Sequence, residues 1–165
     1  MTQQSILTPE EYKKIKPRKK QSKQEENLQI KVCNYIRLKY PHLIFNCDIA
    51  SGMRLPIYIA AKCKKMRSGR GYPDLFIAYP KKQYHGYPIP LGEEDDPEHA
   101  PTIYHGLFLE LKKEGTRLRK GNGSMASPHL EEQEAILSKL RSCNYMAYFA
   151  VGYDQAIKII DNYLK

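Results

Sequence analysis

Apolar residues recur along the chain with two periods, and these periods predict four helices and four strands. Recurrence at every third or fourth position, as at Leu28, Val32 and Ile36, is typical of a helix that packs on one side. Short apolar runs without Gly or Pro are typical of buried strands. The predicted order is a helix at 22–40, a strand at 43–47, a helix at 56–66, strands at 75–79 and 107–113, a helix from 127, a strand at 145–151 and a helix at 153–164. This order indicates an α/β sandwich around a mixed central sheet.

The strand at 107–113 carries charge on an otherwise apolar run. Side chains alternate between the two faces of a strand, so Leu107, Leu109 and Leu111 share one face. Glu110 and Lys112 lie on the other face, where burial of an acid and a base is costly unless they have partners. An internal ion pair at the end of a strand explains this pattern without any catalytic role, because structural ion pairs occupy such places too.

The chain length of 165 residues predicts one domain with a substantial core. The first residues contain few apolar side chains, and seven Lys or Arg occupy the eleven positions from Lys13 to Lys23. Residues 1–21 are therefore predicted to form a basic N-terminal arm, and 22–165 a single domain. Residues 80–103 are rich in Pro, Gly and His, which predicts an irregular loop insertion that connects two strands of a long hairpin.

The amino-acid composition indicates which kind of partner the protein binds and in which compartment it is expected. Lys and Arg number 27 against 18 Asp and Glu, a net charge of +9, which favours a polyanion such as nucleic acid over simple solubility as the explanation. We expect no membrane span and no secretion signal. The four cysteines contain no CxxC pair, so reduced and mostly buried thiols of a cytoplasmic protein are expected.

Two carboxylates are expected to meet at one end of the sheet. Asp74 precedes one strand and Glu110 lies in the next, so a hairpin of the two strands brings them together. Two carboxylates and a backbone carbonyl suit Mg²⁺ or Mn²⁺, which polarises a phosphodiester and activates water. Lys112 is suited to orient that water or to stabilise the transition state. The first helix offers a third carboxylate, Glu26, since the neighbouring Glu25 completes a capping box with Ser22.

These residues resemble a nuclease signature. Pro73-Asp74 followed by Glu110-Leu111-Lys112 is similar to the PD-(D/E)xK motif. The wider set resembles the VRR-NUC branch over roughly residues 22–164: Gly71-Tyr72-Pro73-Asp74-Leu75, then Leu109-Glu110-Leu111-Lys112, then Gln133 in the following helix. The resemblance implies the restriction-endonuclease-like fold of that superfamily and a stand-alone domain of phage or prophage type.

The resemblance also implies a role for each residue of the set. Asp74, Glu110 and the Leu111 carbonyl bind the divalent metal, Lys112 assists the nucleophilic water, and Glu26 and Gln133 complete the site. Stand-alone domains of this branch are similar to Holliday-junction resolvases, which implies a homodimer that cuts branched DNA in a bacterial or phage-infected cell. A dimer is also the physical corollary of paired cuts in a four-way junction.

Two other functions remain open at this stage: a non-catalytic nucleic-acid-binding module on a nuclease scaffold, and a restriction-type enzyme that recognises a short sequence. Against the second, no separate recognition domain is visible, and most basic residues suit phosphate contacts, which position without specifying. The candidate DNA contacts are one aromatic and nine basic side chains: Lys62, Lys64, Lys65, Arg67, Arg70, Tyr72, Lys113, Arg117, Arg119 and Lys120.

Overall fold

The computed structural model describes residues 23–48, 55–66, 71–83 and 101–165. Its helices and strands follow the predicted order, with two further short strands. The helices are α1 (Gln24–Lys39), α2 (Ile57–Met66), α3 (Pro128–Ser142) and α4 (Gly152–Leu164). The strands are β1 (Phe45–Cys47), β2 (Leu75–Ile77), β3 (Lys81–Gln83), β4 (Thr102–Tyr104), β5 (Leu107–Lys112) and β6 (Met146–Val151).

The central sheet has the spatial order β1-β2-β5-β6 and is mixed, as predicted. β1 pairs with β2 and β2 with β5 in antiparallel fashion, and Leu75 lies opposite Leu109. β5 and β6 run parallel, with α3 as the crossover helix between them. Parallel neighbours need such a crossover, whereas antiparallel neighbours need only a hairpin. The protein is therefore a mixed α/β fold in which β5 has a neighbour on each side.

Helices cover both faces of the sheet, so β5 is buried along its whole length. On one face, α1 and α4 supply Val32, Ile36 and Ile160 to a core that includes Leu109 and Leu111 of β5. On the other face, Leu137 of α3 packs with Phe108 of β5 and Ala147 of β6. The predicted alternation of β5 is thus confirmed, and Glu110 and Lys112 lie on the face that α3 covers.

The helix starts were predicted with unequal success. The predicted helix start at 127 is confirmed: the Ser127 hydroxyl oxygen caps α3 by accepting the Leu130 N–H at 3.3 Å, and Pro128 occupies the first turn. At α1 the cap residue is Lys23, with no side-chain cap, and Ser22 lies outside the described residues. Glu25 is therefore the second residue of α1 and not the third position that a capping box requires.

The insertion was wrongly predicted to be irregular at both of its ends. Lys81–Gln83 and Thr102–Tyr104 form an antiparallel two-stranded sheet, which confirms the hairpin connection but not the absence of strands. These strands have few apolar positions, so the sequence gives no hydrophobic signal for them. Lys81 connects this two-stranded sheet to α4, because its ammonium donates a hydrogen bond to the Asn162 carbonyl at 2.7 Å. Residues 84–100 and the predicted arm lie outside the described residues.

Candidate active site

Asp74 and Glu110 lie at the same end of the central sheet. Asp74 directly precedes β2, and Glu110 is near the end of β5, so antiparallel pairing brings the start of one strand beside the end of the other. The Leu111 N–H extends beyond the last paired residue of β2 and donates to Asp74 Oδ2 at 2.9 Å. Both carboxylates are buried, with 4% and 3% of their surface exposed. The predicted meeting of the two acids is therefore present.

Glu110 is held by the two other residues that the motif singled out. Lys112 Nζ donates to Glu110 Oε1 at 2.8 Å, so the ion pair expected from the strand pattern is present. Gln133 Nε2, from the buried face of α3, donates to the same oxygen. The other end of that amide, Gln133 Oε1, is buried without a hydrogen-bond partner among the described residues. An unpartnered buried carbonyl oxygen at this position is available to a water or ligand.

Asp74 has a matching glutamine that the sequence did not single out as part of the site. Gln29 Nε2, from α1, donates to Asp74 Oδ1 at 2.9 Å, and the Gln29 side chain is buried. The only feature of the sequence that indicates burial of Gln29 is its position beside Leu28 and Val32, on the apolar side of α1. Each buried carboxylate is thus oriented by one amide, Asp74 from α1 and Glu110 from α3.

The site concentrates negative charge in a buried place. Burial and the negative charge of Asp74 raise the pKa of Glu110 to about 8, although the Lys112 ammonium acts to lower it. Two carboxylates and one ammonium leave an excess of one negative charge when all three are ionised. A bound cation removes that repulsion, because an opposite charge nearby favours the ionised carboxylates.

The donor set fits a hard divalent ion that retains much of its water. The Leu111 carbonyl points to the same side of β5 as its N–H, which is the side of Asp74, so two carboxylates and a carbonyl can face one ion. Mg²⁺ is typically bound by one or two carboxylates, with waters and substrate phosphates as its other ligands. In the described part of the chain, no three or more His, Cys, Asp or Glu side chains are grouped to hold a metal without such help.

The first-helix acids occupy different surroundings. The negative charge of Glu25 contributes to the raised pKa of Glu110, so this carboxylate of α1 interacts electrostatically with Glu110. Glu26 lines a neighbouring cavity together with Gln29 and Asp48. Asp48, which follows β1, donates its backbone N–H to the Asp74 carbonyl at 2.7 Å and was not singled out from the sequence. Glu25 and Glu26 therefore stand as alternatives for the third carboxylate.

The candidate DNA contacts form two surfaces within the described residues. Lys62, Lys64 and Lys65 are exposed on α2, while Arg67 and Arg70 lie outside the described residues. Tyr72 is 44% exposed and packs edge-on against Phe108 at a centroid distance of 5.8 Å, which leaves part of its ring available for stacking. The second surface is the exposed basic loop, defined here as residues 113–120, which carries Lys113, Arg117, Arg119 and Lys120.

Hydrogen bonds of its own arginines hold the backbone of the basic loop. Arg117 Nε donates to the Arg119 carbonyl at 2.8 Å, and Arg119 donates to the Gly123 carbonyl at 2.9 Å. An isolated bridge pairs Arg119 with Met125, whose side chain is buried. The loop begins directly after Lys112, so its basic side chains start one residue from the site.

Gly71 fixes the approach of the Asp74 segment to α3. Its φ of +82° is rarely adopted by other residues, and a Cβ placed there would lie 3.3 Å from the Gln133 Cα. We expect Gly71→Ala to lower the free energy of unfolding by about 1–2 kcal/mol and to reduce the activity of the site. Thermal unfolding measures the first effect. Gly115, with a φ of +76° and open space around it, is the matched control, for which strain without the Gln133 clash is expected.

Solved structures similar to this chain exist. A solved structure described as a VRR_NUC domain protein is 26% identical to this chain, and the match covers 86% of this chain and 88% of that one with a TM-score of 0.48. No protein-family model matches the sequence, and no curated protein matches it. None of the described helices is long and apolar enough to cross a membrane.

Proposed function

We propose that this chain is a metal-dependent nuclease that hydrolyses phosphodiester bonds in DNA. The observation that supports the proposal is the pairing of two buried carboxylates, Asp74 and Glu110, with an ammonium group on Lys112 2.8 Å from Glu110. A purely structural ion pair needs one acid and one base. The second acid makes the group costly unless a cation joins it, and the net charge of +9 suits a polyanionic substrate.

The proposed chemistry assigns separate tasks to the side chains. A divalent ion, Mg²⁺ or Mn²⁺, would be held by Asp74, Glu110 and the Leu111 carbonyl, and it would polarise the phosphodiester and activate water. Gln29 and Gln133 keep the two carboxylates in position by their hydrogen bonds. Lys112 orients the attacking water or stabilises the charge that develops on the phosphate. Glu25 or Glu26 supplies a further carboxylate from α1.

We further propose branched DNA, such as a Holliday junction, as the substrate and a homodimer as the active form. The resemblance of the motif set to the VRR-NUC branch supports both. The basic loop and the Lys-rich face of α2 supply the phosphate contacts. Such contacts fix position without reading bases, which suits recognition of DNA shape over sequence. The cytoplasm of a bacterial or phage-infected cell is the compartment in which this substrate is met.

The test is an incubation of the protein with a synthetic four-way junction and a matched linear duplex. Each substrate is given Mg²⁺, Mn²⁺ or EDTA, and Glu110→Ala is run in parallel. Symmetric nicking of the junction that requires metal and is lost in the variant supports the full proposal. Equal cutting of both substrates retains the nuclease and removes the preference for junctions, and cutting confined to one sequence favours a restriction-type enzyme.

A non-catalytic DNA-binding module is the alternative from another class. It predicts salt-sensitive binding with no cleavage under any metal, and equal binding by wild type and Glu110→Ala. The net charge of +9 is the main support for this alternative. Burial of a second carboxylate costs free energy of folding, and a binding module has no use for it.

Binding to DNA is expected to fall steeply with salt, since phosphate contacts release counterions. Lys113→Gln with Lys120→Gln removes two charges from the basic loop, and we expect the slope of log affinity against log salt to lessen by about 2. Fluorescence anisotropy with a junction measures the slope. Lys158→Gln, an exposed change on α4, is the control and should lessen the slope less. Equal slopes for the double variant and wild type would remove the basic loop from the interface.

A further inference from the structure

Two cysteines from different elements contact each other beside the site. Cys33 lies on the buried side of α1, and Cys47 is the last residue of β1. The two side chains line the same cavity and lie within hydrogen-bonding reach of each other, although fourteen positions separate them in sequence. All four cysteines are free thiols, and Cys33 is the one that is buried, so the expectation of mostly buried thiols is wrong.

The pair has a route to solvent. Cys33 and Cys47 both line a cavity of about 570 Å³ between α1 and β1. The cavity is also lined by Gln29 and Asp48 toward the candidate metal site and by Arg37 farther along α1. A small oxidant that enters this cavity reaches both sulfurs, whereas most other apolar side chains of α1 face the closed core.

The two thiols differ in acidity. Hydrogen bonding with Cys47 lowers the pKa of Cys33 to about 7, helped by the positive charge of Arg37 and opposed by burial. Hydrogen bonding with Cys33, together with burial, raises the pKa of Cys47. A thiolate is the reactive form toward oxidants, so Cys33 is suited to react first and Cys47 to resolve the product.

We propose that Cys33 and Cys47 are a modification site at which a hydroperoxide forms an intramolecular disulfide. In the first step the Cys33 thiolate attacks one peroxide oxygen. An S–O bond forms, the O–O bond breaks, and the leaving hydroxide takes up a proton to become water. In the second step the Cys47 sulfur attacks the sulfenic acid of Cys33. The S–S bond forms, the S–O bond breaks, and a second water leaves with the thiol proton. The peroxide is reduced and the two thiols are oxidised.

The disulfide would form close to the two residues that donate hydrogen bonds to Asp74. Gln29, which donates to Asp74, lies one helical turn before Cys33, and Asp48, whose N–H donates to the Asp74 carbonyl, directly follows Cys47. A disulfide holds its sulfurs about 2.05 Å apart, closer than two hydrogen-bonded thiols, so its formation changes the packing of these side chains between α1 and β1. This modification is independent of the proposed nuclease activity, because it needs only the two sulfurs and an oxidant.

The test uses the variant Cys63→Ser/Cys143→Ser, which retains the proposed pair and removes the half-buried and the exposed thiol elsewhere. After treatment with hydrogen peroxide, both remaining thiols are expected to become unreactive. The intact mass should fall by two hydrogen atoms, and digestion without reductant should yield one peptide that joins Cys33 to Cys47. Dithiothreitol should restore both thiols. A gain of oxygen atoms without crosslinking, or a disulfide-linked dimer, would overturn the proposal.

A stability measurement separates a native crosslink from one made in unfolded chains. A disulfide across this short loop restricts the unfolded state, so the oxidised variant should melt about 5 °C or more above its reduced form. The further change of Cys47→Ser in the same background removes the resolving thiol and should abolish the rise. An oxidised protein that melts at or below the temperature of the reduced one would contradict a disulfide compatible with the fold. Neither readout uses DNA, so the result is independent of the nuclease test.

Discussion

A Glu110→Gln variant is expected to fold as the wild type does and to lose cleavage by about 10²- to 10³-fold. Gln keeps the size of the side chain and can still hydrogen-bond within the site. It lacks the charge that would hold the metal and, with it, the activated water, and loss of a single stabilising group in such a site costs up to about 10³-fold. Single-turnover cleavage of the preferred DNA at saturating metal measures the effect, since it reports the chemical step.

Charge balance explains why the fold should tolerate this change. Asp74, Glu110 and Lys112 are all buried, and together they carry one excess negative charge when Glu110, whose pKa is raised to about 8, is ionised. The amide at position 110 leaves Asp74 and Lys112 as one acid and one base, so we expect the free energy of unfolding without metal to change by less than about 1 kcal/mol. Glu132→Gln on α3, half exposed and outside the site, is the matched control and should retain cleavage. Cleavage by Glu110→Gln within tenfold of wild type would remove Glu110 from the catalytic group.

The core of the site could be predicted because it depends on neighbouring strands. Once β2 and β5 are read as antiparallel partners, Asp74 before one and Glu110 near the end of the other must meet. The face of Lys112 followed from alternation along β5, and the buried position of Gln133 followed from the apolar period of α3. These inferences needed only local periods and one pairing.

Contacts that depend on how a helix is placed on the sheet were not predicted. Gln29 reaches Asp74 across 45 positions of sequence, and Cys33 meets Cys47 only because α1 packs over β1. The helical period of the apolar residues predicted which side of α1 is buried. It did not predict how far along the sheet α1 is positioned, and this position decides whether Glu25 or Glu26 is nearer to Glu110. The polar strands β3 and β4 were missed because their pairing is made by backbone hydrogen bonds and leaves no apolar pattern.

The opposite change in charge, Lys112→Met, is expected to damage both stability and activity. It removes the base and leaves Asp74 and Glu110 facing each other in a buried place. Above about pH 8, where Glu110 of the wild type is ionised, loss of its ion-pair partner costs about 3 kcal/mol or more. Cleavage should fall about 10²- to 10³-fold, because the group that orients water or stabilises phosphate charge is absent. Urea unfolding without metal measures the first effect and single-turnover kinetics the second.

Two further measurements test whether the stability lost in Lys112→Met results from the change in charge and not from a change in packing. Combining Glu110→Gln with Lys112→Met removes the excess acid, so most of the lost free energy of unfolding should return although both side chains differ from wild type. Mn²⁺ should stabilise Lys112→Met more than it stabilises the double variant, because a bound cation replaces the missing positive charge only where both carboxylates remain. If the double variant is as unstable as Lys112→Met alone, the excess negative charge is not the cause of the lost stability. In that case the three residues form a packed strand end and not a charge-balanced site for a cation.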